Sequence, residues 1–179
     1  MKHDNQLKLL KLARQAIDNC LRQTDFIAQG EDDPQLTQQA GCFVTIKING
    51  QLRGCLGNFV SSQPLYLEVT RMAVAAATED PRFRPMTAAD LGKYTLDISV
   101  LSPLQKISDP NLIEVGKHGI YLEHNGRRGV LLPQVATEQG WDRQTFLEQT
   151  CRKAELPDDA WQSADARLYV FTAEIIEEK

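Results

Sequence analysis

The sequence predicts an α+β fold with a largely antiparallel sheet and flanking helices. Two hairpin patterns and one long alternating strand indicate antiparallel pairing, and the helical segments are clustered among them. The chain has 179 residues, with no internal repeat and no low-complexity linker. We therefore expect a single domain over residues 1–179.

Composition narrows the class of protein. The chain is 42% hydrophobic and 25% charged with a net charge of −4, which is ordinary for a globular domain. This mild acidity argues against a dedicated nucleic-acid binder. No apolar run approaches the roughly 20 residues that cross a bilayer. The first six residues lack the apolar stretch of a signal peptide, so we expect a cytoplasmic protein without a membrane partner.

The N-terminal segment has the spacing of an amphipathic helix. Its apolar stripe consists of Leu7, Leu10, Ala13, Ile17, Cys20 and Leu21, and Leu9 and Leu12 widen it. An acidic run over residues 30–34 follows, and we expect it to be a solvated loop.

Two short strands over residues 42–47 and 52–56 flank Asn49-Gly50 and predict a hairpin. A two-residue turn would set Ile46 opposite Arg53. That register mixes polar residues onto the apolar face of the pair, which argues against it.

A three-residue loop over residues 48–50 gives a more consistent hairpin. It pairs Ile46 with Leu52 and Cys42 with Leu56, so apolar residues meet on one face. We therefore predict this loop. The opposite face would then carry Phe43, Thr45, Arg53 and Cys55.

A helix is predicted from about Pro64 to Thr78. Ser62 is its expected cap, and Pro64 belongs in its first turn. Glu68 and Arg71 lie off the predicted apolar stripe. Residues 87–90 after this helix resemble a capping box.

The clearest strand runs over residues 94–100, where apolar and polar residues alternate. Residues 103–117 are expected to form loops and short irregular elements. A second hairpin then surrounds Asn125-Gly126. Here a two-residue turn fits, because it sets Glu123 opposite Arg128.

The remaining elements are two helices and a strand. A short helix is predicted over residues 133–139. Another follows with Asp142 as its cap and with Trp141 packing onto Phe146. Residues 167–176 are predicted to form one final strand.

The segment over residues 52–59 contains the most unusual side chains. Regular alternation sets Arg53 and Cys55 on one side, where a guanidinium would stabilise the thiolate. Gly54 and Gly57 remove bulk on both sides, so a ligand or a second backbone could approach closely. Alternatively, Cys55 is a small buried hydrophobe and the glycines relieve packing.

Histidines and cysteines offer a second possibility. His118 could pair with Cys55 as a base if the fold brings them together, or it could satisfy backbone groups at a strand end. His124 is expected to be solvated and His3 mobile. The three histidines and four cysteines show no paired metal-ligand spacing, so we predict reduced thiols, no metal and no cofactor.

Arginines in two turns could bind an anion. Arg82 and Arg84 follow Asp80, and Arg127-Arg128 lies beside the second hairpin turn. Alternatively, Arg82 pairs with Asp80 and positions the loop, and the other arginines are simply exposed. The chain contains neither a P-loop nor a dinucleotide-binding fingerprint.

Leu-Arg-Gly-Cys-Leu-Gly at residues 52–57 closely resembles the Leu-Arg-Gly-Cys-Ile-Gly signature of the AMMECR domain family. Bacterial and archaeal members are also called AmmeMemoRadiSam system protein A. The resemblance covers nearly the whole chain as a single AMMECR-like domain. In two places it departs from the family pattern, with Asn58 in place of the usual Thr and Arg84 in place of a Pro. Further matching motifs occur in order at residues 80–83, 97–102, 116–119, 131–136, 139–142 and 151–153.

The resemblance implies an α+β fold of two unequal lobes, with the signature strand facing the cleft between them. The family has no agreed activity. It is associated with a Memo-like protein and a radical S-adenosylmethionine protein. This chain lacks the clustered cysteines that an iron–sulfur cluster needs, so the resemblance implies a partner or substrate-handling subunit.

Three candidate functions follow, and whether the protein is an enzyme stays open. The first is a binding or accessory module that presents the cleft to a partner, a modified macromolecule or a small ligand. The second is an enzyme with Cys55 as nucleophile and His118 as base. The third is an RNA-binding module using Arg82, Arg84, Arg127 and Arg128. The candidate ligand-binding residues are Arg53, Gly54, Gly57, Asn58, Asp80, Arg82 and Lys117.

Overall fold

The computed structural model describes residues 1–178 and confirms the α+β fold class. It contains two four-stranded antiparallel sheets with helices. The chain divides into two compact units of unequal length: Met1–Leu101 with the stretch from Glu174 onward, and Ser102–Ala173. Within residues 1–178, no helix is long and apolar enough to cross a membrane.

The elements follow one another in mixed order. The helices are α1 (His3–Leu21), α2 (Pro34–Thr37), α3 (Leu65–Thr78), α4 (Pro133–Glu138) and α5 (Arg143–Lys153). The strands are β1 (Cys42–Ile48), β2 (Gln51–Asn58), β3 (Tyr94–Leu101), β4 (Gln105–Ile107), β5 (Gly119–His124), β6 (Arg127–Leu131), β7 (Arg167–Phe171) and β8 (Ala173–Glu177).

The first unit is built on a sheet with the strand order β2-β1-β3-β8. Alternate side chains of β1 and β3 pack with α1 and α3 into one apolar core. Its fully buried side chains include Leu9, Ile17, Val44, Ile46, Leu65, Val69, Leu96 and Ile98. The sheet and its helices therefore hold β2 as an outer strand, with one edge unpaired by any other strand.

The predicted N-terminal helix is present, but its buried face is rotated. Leu7 is 52% exposed, whereas Leu9 is fully buried. The predicted stripe counted Leu7 and treated Leu9 as secondary, and the packing of α1 reverses that order. The acidic run does not stay a loop throughout, because the Asp33 carboxylate accepts a hydrogen bond from the Gln35 amide (2.9 Å) and caps α2.

Helix α3 begins one residue later than predicted. Ser62 does not cap it; Pro64 occupies the N-cap position, and no side chain there accepts a cap hydrogen bond. The predicted capping box at Thr87 is confirmed. The Thr87 amide donates to the Asp90 carboxylate at 2.8 Å, although the turn that it stabilises is a short 3₁₀ helix.

The first hairpin does not have the predicted three-residue loop. Ile48 lies opposite Gln51, which leaves Asn49-Gly50 as a two-residue turn. Both turn residues have positive φ, 51° and 75°, as the tight turns favoured in hairpins require.

A β-bulge explains why the sequence argument failed at this hairpin. Lys47 lies opposite Leu52, but Ile46 lies opposite Gly54, so Arg53 is an extra residue on β2. This shift restores an apolar face beyond the bulge. The mixed register that seemed to exclude a two-residue turn therefore never forms.

The second unit contains a sheet with the order β4-β7-β5-β6. The predicted two-residue turn at Asn125-Gly126 is confirmed, with Glu123 opposite Arg128. The predicted cap of α5 is also confirmed, since the Asp142 carboxylate accepts from the Thr145 amide at 2.8 Å. The buried side chains of this unit's core include Ile113, Ile120, Leu122, Phe146, Leu147 and Cys151.

The final strand is divided in two, contrary to prediction. Strand β7 belongs to the second sheet and β8 to the first, and the break falls at Thr172. The Ser102 amide donates to the Thr172 carbonyl, and the Thr172 amide donates to the Ser102 hydroxyl, both at 2.9 Å. The apolar pattern is continuous across this break because each half contributes buried side chains to its own unit, Leu168 and Val170 in β7 and Ile176 in β8.

At Gly50, the cost of a positive φ can be measured without any steric clash from an added side chain. An added Cβ would meet nothing within 4 Å at either Gly50 or Gly30, but only Gly50 has a positive φ, 75°. We expect Gly50→Ala to lower the free energy of unfolding by about 1–2 kcal/mol, and Gly30→Ala to leave it unchanged or slightly raised. Urea unfolding of the two variants measures the difference, and equal values would contradict it.

Candidate functional site

Within residues 1–178, no strand pairs with the outer edge of the signature strand β2, and a loop after α3 contacts that edge at Cys55. The Cys55 amide donates to the Asp80 carboxylate at 2.8 Å. The Cys55 carbonyl accepts from the Arg82 guanidinium at 3.4 Å. These two side chains thus supply the acceptor and donor that a neighbouring strand would otherwise provide.

Asp80 and Arg82 form a single unit. The Arg82 Nε donates to the Asp80 Oδ1 at 3.0 Å, and the Arg82 Nη2 donates to the Asp80 Oδ2 at 2.7 Å. Asp80 is only 5% exposed, whereas the Arg82 side chain is 55% exposed. The hydrogen bonds from Arg82 and from the Cys55 amide hold the pKa of the Asp80 carboxyl well below its usual range. The carboxyl is therefore ionised at neutral pH.

The Cys55 thiol lies next to a hydroxyl. Thr45 and Cys55 are directly opposite on β1 and β2, and the Thr45 Oγ1 donates to the Cys55 Sγ at 3.3 Å. Because the Cys55 amide points away from β1, the two residues form a non-hydrogen-bonded pair, in which side chains approach closely. The thiol is half-buried.

The space beside both signature glycines is filled by protein. A Cβ on Gly54 would come within 2.1 Å of the Ala76 carbonyl oxygen, so α3 packs directly on the strand there. A Cβ on Gly57 would meet the Phe43 ring at 2.5 Å and the Cys42 carbonyl at 2.3 Å. A second backbone therefore makes the close approach at Gly54. A ligand contact through either glycine stays a prediction.

Arg53 does not share a regular alternation with Cys55. The bulge makes Arg53 the extra residue, and the register places Leu52 and Cys55 on the same face of the strand pair. Arg53 is half-buried, and its side chain forms no ion pair or hydrogen bond with another described residue. The reasoning that put its guanidinium beside the thiol by alternation was wrong.

The other end of β2 is anchored by a buried carboxylate that sequence reasoning missed. Glu68 is only 1% exposed. Its oxygens accept from the Asn58 amide nitrogen at 2.9 Å, from the Ser61 hydroxyl at 3.0 Å and from the Arg71 guanidinium at 2.7 Å. One feature of the sequence indicated its burial. Glu68 lies three residues after Leu65 and therefore on the same side of the helix as that apolar residue.

His118 and Lys117 belong to the second unit, whereas Cys55 belongs to the first. The Glu114 amide donates to the His118 Nδ1 at 3.1 Å, and Lys117 forms an ion pair with the Glu114 carboxylate at 2.8 Å. His118 therefore satisfies a backbone group just before a strand, which is the alternative that the sequence left open. Its pairing with Cys55 stays a prediction.

His124 is not solvated as expected. Its side chain is 10% exposed, its Nδ1 lies 3.5 Å from the Asp165 carboxylate, and its Nε2 lies 2.9 Å from the Asn125 amide nitrogen. Among residues 1–178, no three acidic, cysteine or histidine side chains are grouped to hold a metal ion.

The four arginines proposed to bind RNA differ in their surroundings. Arg82 is paired with Asp80, and Arg127 donates to the Glu155 carbonyl and forms an ion pair with its carboxylate at 3.6 Å. Arg84 is exposed and forms no ion pair with another described residue. The arginines therefore do not form a uniform set of free cations.

These features define a class of α+β protein with two antiparallel sheets, in which an outer strand bearing an Arg-Gly-Cys signature is closed by an Asp–Arg pair. The chain belongs to the AMMECR1 family, whose model matches residues 10–176.

Archaeal proteins are similar to this chain over nearly their whole length. It is 41% identical to a protein of Thermococcus gammatolerans, with 96% of this chain and 89% of that protein covered. It is 40% identical to a protein of Methanothermobacter thermautotrophicus, with 99% and 96% covered. The crystal structure of the uncharacterized protein PH0010 from Pyrococcus horikoshii is similar, with a TM-score of 0.86 and 38% identity over 96% of this chain and 90% of that one.

The Asp80 carboxylate can be tested as the closure of the β2 edge. We expect Asp80→Ala to lower the free energy of unfolding by about 2 kcal/mol at neutral pH, because the Cys55 amide loses its acceptor. Asp80→Asn should retain part of this stability, since its side-chain amide oxygen can still accept the hydrogen bond from the Cys55 amide. Asp32→Ala is the matched control, because that exposed carboxylate has no partner in the described chain.

The contribution of the Asp80 carboxylate to the free energy of unfolding should decrease at low pH. Because the pKa of Asp80 is lowered by folding, its stabilisation is fully present above the usual aspartate pKa of about 4 and is lost as the pH falls through the lowered value. The stability difference between wild type and Asp80→Ala should therefore shrink below about pH 4. A difference that stays constant down to pH 2 would contradict this assignment.

Proposed function

We propose that this protein is a binding component that acts with a Memo-like protein and a radical S-adenosylmethionine protein, presenting the Arg-Gly-Cys signature region to a partner. Membership of the AMMECR1 family supports the choice of companions, because the family is associated with them. The geometry at Cys55 supports binding in preference to catalysis.

One observation carries this choice. The carboxylate next to Cys55 is Asp80, and four hydrogen bonds to it stabilise its ionised form. A base whose pKa is held well below its usual range is a poor proton acceptor at neutral pH. The contacts of Cys55 thus hold its backbone in place, and its sulfur accepts a hydrogen bond from the Thr45 hydroxyl.

The rival function, an enzyme with Cys55 as nucleophile, makes a distinct demand. It requires a thiol more reactive than an ordinary one, with a group able to remove its proton. His118 would have to supply that group. The thiol chemistry of the four cysteines separates the two functions.

We expect Cys55 to be alkylated no faster than a free model thiol, and within a few-fold of the other half-buried cysteine, Cys20. Cys42 should react only on unfolding, because burial raises the pKa of its thiol to about 12. Iodoacetamide kinetics between pH 6 and 9, read by mass spectrometry, measure each site.

The control for this measurement is Cys20→Ser, which leaves Cys55 as the half-buried thiol. A rate at Cys55 more than about tenfold above the free thiol at pH 7 would favour the enzyme. Loss of that excess in His118→Ala would identify the base.

The proposal itself is tested with purified proteins. We expect the chain to co-elute with the Memo-like protein, the radical S-adenosylmethionine protein, or both together, from the same genome. Arg82→Ala should weaken the complex about threefold to tenfold, because it removes a half-exposed guanidinium at the signature. Arg22→Ala, at an exposed arginine at the end of α1, is the control. Absence of any complex, measured by calorimetry at low salt, would overturn the proposal.

A further inference from the structure

At the outer edge of β2, side chains occupy the Cys55 backbone groups, whereas the next outward-facing backbone groups, those of Gly57, form no such contacts in the described chain. Strand alternation repeats every two residues, so the Gly57 amide and carbonyl point outward like those of Cys55. Unlike Cys55, Gly57 forms no hydrogen bond beyond the β1–β2 pair within the part of the chain that the structure describes. Gly57 is half-exposed. A donor and an acceptor therefore stand unpaired on an outer strand.

The charged side chains around this edge that form no ion pair in the described chain are mainly positive. Arg53 lies two residues before Cys55, Arg82 contacts the Cys55 carbonyl, and Arg84 lies two residues further along the same loop. Arg53 and Arg84 form no ion pair with another described residue. The acidic groups nearby are Asp80 and Glu68, which form ion pairs with Arg82 and Arg71, and Glu79.

From these two observations we infer that the β2 edge at Gly57 binds an acidic segment of a partner protein in extended conformation. The segment would exchange backbone hydrogen bonds with Gly57, as an added strand does. Its carboxylates would meet Arg82 and Arg84, which lie on the loop beside Cys55. This inference rests on the proposed function and names the part of the partner that is recognised.

An extended peptide fits this edge better than a folded surface. The Asp80–Arg82 pair already fills the positions beside Cys55, so a strand can pair only from Gly57 towards the end of β2. A short segment with few backbone bonds then depends on charge for orientation and for its association rate. Binding should weaken steeply with salt, because the arginines concerned are half-exposed or exposed.

The sequence offers a specific way to observe Gly57. Leu-Gly occurs twice in the chain, at Leu56-Gly57 and at Leu91-Gly92. Labelling leucine carbonyls with ¹³C and glycine nitrogens with ¹⁵N therefore gives two selected amide signals. Gly92 has a φ of 72°, which asparagine tolerates, so Gly92→Asn identifies its signal. Gly92 in the wild type is then the internal control.

The probe is a fluorescein-labelled peptide with blocked ends and the sequence Thr-Val-Glu-Val-Glu-Val-Thr, added to the full chain at low salt. We expect it to shift the Gly57 signal and leave Gly92 in place. The same peptide with lysine in place of glutamate should bind at least about tenfold more weakly, as should one with its three central backbone nitrogens methylated. Arg84→Glu should weaken the acidic peptide about tenfold, and Arg22→Glu less than twofold.

Several results would overturn the inference. They are an unmoved Gly57 signal, equal binding of the lysine or methylated peptide, or a Gly57 shift caused by oligouridine RNA and not by the acidic peptide. Complexes with the companion proteins that form normally in Arg84→Glu and resist competition by the peptide would refute this edge while leaving the proposed function standing. Peptide binding at Gly57 without any companion complex would refute the choice of companions and support the edge.

Discussion

The Asp80 carboxylate is the contact on which the signature region depends. It joins three elements through one side chain: the outer strand β2 at the Cys55 amide, the end of α3, and the Arg82 loop. A buried carboxylate is tolerated only when its hydrogen-bonding capacity is filled, and here four donors fill it. The thiol-bearing strand is thereby held without a neighbouring strand on that edge.

Helix α3 is attached to β2 at both ends, by opposite kinds of interaction. At its start, the Glu68 carboxylate receives the Asn58 side chain. Near its end, the Ala76 carbonyl lies so close to Gly54 that no Cβ would fit. The hydrogen bond between Glu68 and Asn58 fixes the position of α3 along β2. The close contact between Gly54 and Ala76 fixes the distance between the helix and the strand. Two of the candidate ligand-binding residues, Gly54 and Asn58, therefore have identifiable structural roles, whatever they bind.

Local patterns predicted the fold class and most of the elements, and they failed where tertiary contacts decide. The Asn125-Gly126 hairpin was correct because its cross-strand charges already match. The hairpin at Asn49-Gly50 was wrong because a bulge at Arg53 changes the register, and no periodicity announces a single extra residue. Glu68 was predicted to lie off the apolar stripe of its helix, and the pattern gave no sign of Asn58 and Ser61, the partners that lie outside α3. The sequence pattern also does not show the break at Thr172, since each half of the predicted strand belongs to a different sheet.

The same reasoning favours a binding role over a catalytic one for the signature. A nucleophilic cysteine needs freedom from competing contacts and a base of matched pKa. At Cys55 the backbone is tied on both sides, and the nearby carboxylate is stabilised in its ionised form. Among the described residues of this region, the unpaired groups include the Gly57 backbone and the Arg53 and Arg84 guanidiniums. Unpaired backbone groups and cations suit the recognition of an extended acidic chain, and they supply none of the proton transfers that a thiol nucleophile requires.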